Sequence, residues 1–135
     1  MNFPNEVMKA AKQILPYIRE TQFINSDPFS DLIDADVYFK LENLQVTGSF
    51  KARGAVNKLL SMTDREKAEG VVSASTGNHG AAVAFAAGRL EISSTIYVPN
   101  DASSAKLENM RQYGASIEIY GNDCVQSEAR AREIS

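Results

Sequence analysis

The chain has 135 residues, of which 44% are hydrophobic and 23% are charged, and its formal net charge is -3. A chain of this length and composition can bury one ordinary hydrophobic core and is typical of folded rather than disordered proteins. The negative net charge argues against a nucleic acid or an anionic membrane as the partner.

The counts of cysteine and histidine exclude an internal disulfide and a zinc site. The single cysteine, Cys124, cannot form an internal disulfide, and the single histidine, His79, leaves too few ligands for a zinc site. The first residues show no secretory signal, and no apolar run approaches the length of a membrane span. We therefore expect a cytoplasmic protein with no metal site, no membrane contact and no nucleic-acid partner.

The first part of the chain predicts two helices and one strand. Apolar residues at three- and four-residue spacing indicate an amphipathic helix over residues 5–18, which Pro16 ends or bends. Residues 21–34 are expected to form a loop, with a turn at residues 25–28. A short strand is predicted at residues 37–41, and a helix that Ser49 opens continues to residue 60.

The second part of the chain alternates regularly between strands and helices. The charged stretch at residues 63–70 is expected to be a connection and a domain boundary. Beyond it the pattern predicts strands at residues 70–74, 95–98 and 115–120, and helices at residues 78–90, 104–113 and 123–135. Strict alternation implies right-handed crossovers and a parallel sheet with helices on both faces. We therefore predict an α/β fold, a three-layer αβα sandwich.

Two segments place polar residues where α/β sheets bind ligands, at the carboxyl end of a strand. Residues 40–55 read KLENLQVTGSFKARGA, and residues 73–80 read SASTGNHG. Each runs from a strand-like stretch through a Gly/Ser/Thr turn into a helical pattern, so the first backbone N–H groups of the helix are available to an anion. A single lysine in a helix is usually a surface charge, and a single STGN sequence is usually a turn or a helix cap. The occurrence of both segments in this order favours a functional site.

Together these segments resemble the N-terminal signatures of the fold-type II pyridoxal-phosphate enzymes, in the serine/threonine dehydratase and serine racemase branch. The resemblance implies a tryptophan synthase β-like fold, with residues 1–62 as part of a large cofactor domain and residues 63–135 as most of a small domain. It also implies pyridoxal 5'-phosphate as the cofactor, a small amino acid as the substrate, and a homo-oligomer, either a dimer or a tetramer.

The resemblance also implies roles for three residues around the cofactor. Lys51 is the lysine that would form the Schiff base with the cofactor and then remove the α-proton of the substrate. Phe50 would pack against the cofactor ring, and Asn78 would donate a hydrogen bond to the ring oxygen.

The loop in the second segment would bind the substrate carboxylate. The resemblance assigns this role to Ser75, Thr76, Gly77, Asn78 and His79. It gives His79 a backbone N–H that faces the carboxylate and a side chain that holds the loop, rather than a role as catalytic base.

Thr76 bears on the type of reaction. It stands where serine racemases carry a serine that serves as the second proton donor, and threonine adds a methyl group and a stiffer χ1. This difference favours dehydration of serine or threonine to a 2-oxo acid and ammonia. A racemase, a lyase for another β-substituted amino acid and a non-catalytic remnant remain alternatives.

One part of the family's site is missing from the chain. The family binds the cofactor phosphate on a glycine-rich loop, but none of the eight glycines here is next to another. We therefore expect that the chain is the N-terminal portion of such an enzyme and that the 135 residues alone are inactive.

Overall fold

The computed structural model describes residues 2–134. The chain begins with helix α1 (Phe3–Ile14), which continues as a 3₁₀ turn at Leu15–Tyr17. Pro16 lies in that turn, and because it lacks an N–H group and restrains the residue before it, the α-helix stops at Ile14. The predicted effect of Pro16 is therefore confirmed.

The loop predicted at residues 21–34 is wrong. Strand β1 (Phe23–Asn25) and helix α2 (Asp27–Ile33) occupy it, and the residues of the turn predicted at 25–28 are instead the end of β1 and the start of α2. Pro28 is tolerated there because the first helical turn needs no N–H donor. Strand β2 (Tyr38–Lys40), within the predicted strand, pairs antiparallel with β1. These elements are short and their apolar residues are exposed, so they carry no burial periodicity.

The next two helices lead into the second half of the chain. Helix α3 (Lys51–Leu60) begins two residues after its predicted start, and Ala52, Ala55, Val56 and Leu59 form its buried side. The charged connection predicted at residues 63–70 contains a helix that was not predicted, α4 (Asp64–Glu69).

A capping box explains why α4 forms. The Thr63 backbone N–H donates to the Glu66 carboxylate at 2.6 Å, and the Glu66 N–H donates back to the Thr63 hydroxyl at 3.3 Å. The sequence TxxE is the signal of this motif. The Thr63 backbone N–H and the Thr63 hydroxyl, at 2.8 Å, both donate to the Glu66 carboxylate and hold the pKa of Glu66 below its ordinary value.

A parallel sheet follows, as predicted. Strands β3 (Val71–Ala74), β4 (Ser94–Val98) and β5 (Ser116–Ile119) lie in that order, with Val71 opposite Ser94 and Val98 opposite Ile119. The connecting helices are α5 (Asn78–Arg89) and α6 (Ser104–Gln112), and α7 (Cys124–Ile134) follows β5. The predicted end of the last helix, Ser135, lies outside the described residues.

Helices cover both faces of this sheet. Ile96 and Val98 of β4 pack with Leu107 and Met110 of α6 and with Ala84 of α5. Helix α7 contacts β3 and β4 and contributes no residue to that cluster, so it lies on the opposite face. The predicted α/β class with a parallel sheet is confirmed.

The largest core lies between α3 and α5. Val56 and Leu59 of α3 pack with Val83 and Phe85 of α5, and Ile14 joins them from α1. The two halves of the chain therefore meet through a shared apolar interface. The division into domains at residues 1–62 and 63–135 stays a prediction. Within residues 2–134, none of the helices has the length and apolarity that crossing a bilayer requires.

Candidate active site

The second motif forms an open loop at the carboxyl end of β3. Residues 75–77 connect β3 to α5, and the earliest backbone bond recorded at the start of α5 runs from the Ala81 N–H to the Gly77 carbonyl at 3.2 Å. The N–H groups of Asn78, His79 and Gly80 precede it and have no carbonyl partner in the helix. These groups carry the positive end of the helix dipole and suit an anion.

Two glycines shape this loop in different ways. A Cβ at Gly77 would meet no atom within 4 Å, so the backbone there is open to a ligand. A Cβ at Gly80 would collide with the Ser75 carbonyl oxygen and stand 2.8 Å from Met110 Cε. Gly80 therefore lets the first turn of α5 pack directly against the loop.

The polar side chains of the loop have few partners. The Ser75 hydroxyl accepts a hydrogen bond from the Gly77 N–H at 3.2 Å. Within residues 2–134, the side chains of Thr76 and Asn78 form no hydrogen bond, and Asn78 is exposed. Their polar atoms are available to a ligand.

His79 faces a different part of the molecule. Its side chain borders a cavity of about 360 Å³ together with Ser73 on β3 and Glu128 on α7. His79 thus lies where α7 and the sheet meet the start of α5. Within residues 2–134, the His79 side chain forms no hydrogen bond. Its predicted role in holding the loop stays a prediction.

Lys51 is the first residue of α3 and is exposed. Its Nζ lies 5.2 Å from the ring centroid of Phe50, which is 60% exposed. In the described part of the chain, Lys51 has no ion pair. The structure therefore presents an accessible amine next to an accessible aromatic ring.

The loop and the lysine occupy neighbouring helices. Helices α3 and α5 pack against each other, and the motifs stand at their first turns. No hydrogen bond or ion pair among residues 2–134 joins Lys51 to residues 75–79. The structure thus brings Phe50 next to Lys51 and gathers the loop residues in a second group at the start of the neighbouring helix.

A polar network beside Lys51 was not predicted from the sequence. Arg53 donates to both oxygens of Glu42, from Nε at 2.9 Å and from the terminal nitrogen at 2.7 Å, and the Thr21 hydroxyl donates to Glu42 at 2.5 Å. The hydrogen bond from Arg53 is the main reason that the pKa of Glu42 falls to about 2. The only sequence signal was that Glu42 and Arg53 belong to the first motif.

Gln45 ties the same segment to the start of the chain. Its buried side-chain amide accepts from the Arg19 N–H at 2.8 Å and donates to the Arg19 carbonyl at 2.9 Å. The same oxygen accepts from the Val46 N–H at 2.9 Å. The turn before Lys51 is therefore fixed by side-chain hydrogen bonds at both of its ends.

These residues fit part of a pyridoxal cofactor and its substrate. The Lys51 amine suits an aldehyde, the Phe50 ring suits an aromatic face, and the free N–H groups of α5 suit a carboxylate. The hydroxyls of Thr47 and Ser49 are buried without a hydrogen-bond partner, and such groups are costly unless something from outside binds them. Among residues 2–134 there is no glycine-rich loop for the phosphate, and no group of three or more His, Cys, Asp and Glu side chains that could hold a metal ion.

Comparison with known proteins agrees with this chemistry. Residues 14–135 match the family model of the pyridoxal-phosphate dependent enzymes. The catabolic L-threonine dehydratase TdcB of Staphylococcus aureus (strain USA300) is 39% identical over 131 residues, which cover 96% of this chain and 38% of that protein.

Solved structures give the same result. Maize serine racemase superimposes with a TM-score of 0.88 at 32% identity, covering 96% of this chain and 40% of the racemase. Threonine deaminase isoform 2 of Solanum lycopersicum superimposes with a TM-score of 0.84 at 29% identity, covering 97% of this chain and 40% of the deaminase. The chain thus spans 38% to 40% of the length of these relatives. With the family model matched over most of its residues, this chain belongs to the pyridoxal-phosphate dependent enzymes.

Proposed function

We propose that this chain carries the cofactor lysine and the substrate-carboxylate loop of a pyridoxal-phosphate dependent ammonia-lyase. The whole enzyme would dehydrate L-serine or L-threonine to a 2-oxo acid and ammonia. The observation that carries the proposal is the placement of Lys51 and Phe50 at the start of α3, packed beside a helix whose own start is an open anion site. The 39% identity to a threonine dehydratase supports the choice of reaction.

Lys51 has two tasks in this proposal. Its exposed amine would hold the cofactor aldehyde as a Schiff base, and the freed amine would then take the α-proton of the substrate. The bound cofactor supplies an electron sink. Phe50 would pack on the cofactor ring, and the Asn78 amide, which has no partner within residues 2–134, would donate to the ring oxygen.

The loop would orient the substrate. The N–H groups of Asn78, His79 and Gly80 would bind the carboxylate, because they point out of the positive end of α5. The Ser75 hydroxyl lies in the same loop and would add a hydrogen bond. A carboxylate fixed in this way holds the Cα–H bond in one direction relative to the Lys51 amine.

Racemisation is the second candidate, since maize serine racemase superimposes with a TM-score of 0.88. It requires a proton donor on the face of the substrate opposite Lys51, for which Thr76 offers a hydroxyl that has no hydrogen bond in the described structure. The methyl group of Thr76 restricts its χ1 rotamers. This restriction favours a reaction on one face, which is dehydration.

We also propose that the enzyme is a cytoplasmic homo-oligomer. The free, exposed thiol of Cys124 suits a reducing compartment. The first 62 residues expose large apolar side chains, such as Phe3, Phe23 and Leu32 at 66% to 76%. Exposed apolar groups of this size favour cover by further chain or by a second copy.

The test uses the full-length enzyme loaded with pyridoxal phosphate. We expect release of 2-oxo acid and ammonia from L-serine or L-threonine, and borohydride reduction should label Lys51. Lys51→Arg should abolish both results, whereas Lys58→Arg, at another exposed position of the same helix, should change neither. Label on another lysine in the wild-type enzyme, or formation of D-serine as the main product from L-serine, would contradict the proposal.

A further inference from the structure

The first turn of α3 contains three consecutive residues with different environments. Lys51 is exposed, Ala52 is fully buried against the core, and Arg53 reaches back to Glu42. Residues two apart on a helix do not share a face. Arg53 can therefore hold the turn from one side while Lys51 projects from another.

The contact between Arg53 and Glu42 is stronger than an ordinary surface ion pair. It uses two parallel hydrogen bonds of 2.9 and 2.7 Å, and only 15% of the Glu42 side chain and 32% of the Arg53 side chain are exposed. A two-point contact of guanidinium and carboxylate fixes orientation as well as distance. The other ion pairs of residues 2–134 have both side chains at least 42% exposed.

A second residue, besides Arg53, donates a hydrogen bond to the Glu42 carboxylate. Thr21, a buried residue, donates its hydroxyl to the carboxylate at 2.5 Å, and the Thr21 carbonyl accepts from the Lys40 Nζ at 2.5 Å. The carboxylate thus links the segment after α1, the turn before α3 and α3 itself. The segment between Glu42 and Arg53 contains Gly48 at φ +70° and the exposed Phe50, and the contact between Glu42 and Arg53 joins its two ends.

From this geometry we propose that Glu42 and Arg53 are positioning residues for Lys51. The two hydrogen bonds from Arg53 to Glu42 fix the first turn of α3. They thereby fix the position and direction from which the Lys51 amine would meet the cofactor. This inference rests on the function proposed above for Lys51. Displacements of about 1 Å in a reacting geometry cost about a hundredfold in rate, so a looser first turn should lower turnover measurably.

The variant that separates geometry from charge is Arg53→Lys. It keeps the positive charge beside Glu42, but a lysine cannot form the two parallel hydrogen bonds that Arg53 forms. In the full-length enzyme we expect kcat to fall at least tenfold, on the order of the loss of rate that a small misplacement of reacting groups causes. The KM for substrate should change less than threefold. The pH at which the visible absorbance of the loaded enzyme titrates should also move. In the apoenzyme, acetylation of Lys51 relative to Lys58 should change.

Leu59→Ala is the matched control. Leu59 is buried on α3, eight residues or about 12 Å beyond Lys51, and its truncation should lower the melting temperature at least as much as Arg53→Lys does. It should leave kcat, the absorbance titration and the relative acetylation of Lys51 unchanged. If Arg53→Lys does not fold, Glu42→Asp gives the same comparison, because it keeps the negative charge but shortens the side chain by one CH2 and so breaks the two-point contact with Arg53.

The outcomes distinguish the two proposals. Wild-type turnover and titration in Arg53→Lys, or equal changes in Leu59→Ala, would overturn the positioning role while leaving Lys51 as the cofactor lysine. A wild-type enzyme labelled at another lysine would overturn the proposed function, and the positioning role with it. Changes confined to the Arg53 and Glu42 variants would support the inference.

Discussion

Replacing Gly80 with alanine tests whether the loop at the start of α5 binds substrate. Gly80 is buried, and an added Cβ would collide with the backbone oxygen of Ser75 and stand 2.8 Å from Met110 Cε. The end of the Met110 side chain can move cheaply, but the Ser75 carbonyl belongs to the loop backbone. The strain would therefore be relieved mainly by moving the loop.

The size of the effect follows from these contacts. An ordinary separation of about 3.5 Å requires the Ser75 carbonyl to retreat by roughly 1 Å. Overpacking of this kind typically costs about 1–3 kcal/mol of stability. Since a misplacement of about 1 Å can reduce a rate about a hundredfold, we expect kcat/KM for L-serine or L-threonine to fall by one to two orders of magnitude. The Lys51 label should persist, because Lys51 lies on another helix.

The chain offers two matched glycine controls. A Cβ at Gly88 would collide with the Tyr113 carbonyl oxygen, so Gly88→Ala should lose similar stability, but near the far end of α5. A Cβ at Gly54 on α3 would meet no atom within 4 Å, so Gly54→Ala should gain about 0.4–1 kcal/mol. The assay pairs thermal unfolding with steady-state kinetics of the full-length enzyme. If Gly80→Ala and Gly88→Ala lose stability alike and both keep normal kcat/KM, the loop does not bind the substrate.

The parallel sheet could be predicted because its signals are local. Strand β3 directly follows Gly70 and strand β4 directly precedes Pro99, and β4 alternates buried Ser94, Ile96 and Val98 with half-buried residues. The alanine-rich pattern of α5 fits a helix that is buried along most of its length. A prediction succeeds in this part because one segment contains both the element and its burial pattern.

The first part of the chain was harder to predict for two physical reasons. Strand β1 and helix α2 are short and largely exposed, so their residues show no periodic burial. The side-chain network joins distant segments: Gln45 bonds Arg19 across 26 residues, and Arg53 bonds Glu42 across 11. Pairs of this kind leave no periodic pattern. The motifs indicated which chemistry to expect, but not which residues hold Lys51 in place.

Three further predictions concern single side chains of the full-length enzyme. Asn78→Ala should weaken cofactor binding by about 1.5–3 kcal/mol, because a hydrogen bond to a partly charged oxygen is lost; an unchanged affinity and absorbance would refute the role of Asn78. The pKa of Glu42 is about 2 in the folded chain against an ordinary 4.5, so its stabilisation is present above pH 4.5 and is lost as the pH falls towards 2. Between pH 4.5 and pH 2, the free energy of unfolding measured with urea should fall by about 1–2 kcal/mol less in Glu42→Gln than in the wild-type enzyme. If the two proteins lose the same free energy over this range, the low pKa of Glu42 does not stabilise the fold. Thr76→Ser removes only the methyl group that restricts the hydroxyl, so it should raise the ratio of D-serine to 2-oxo acid formed from L-serine about tenfold, on the order of 1.4 kcal/mol. Thr76→Ala should keep dehydration and abolish racemisation, since one-faced chemistry needs only Lys51. Chiral chromatography and a 2-oxo acid assay on the same reaction measure both products, and loss of dehydration in Thr76→Ala would show that the hydroxyl takes part in the elimination itself.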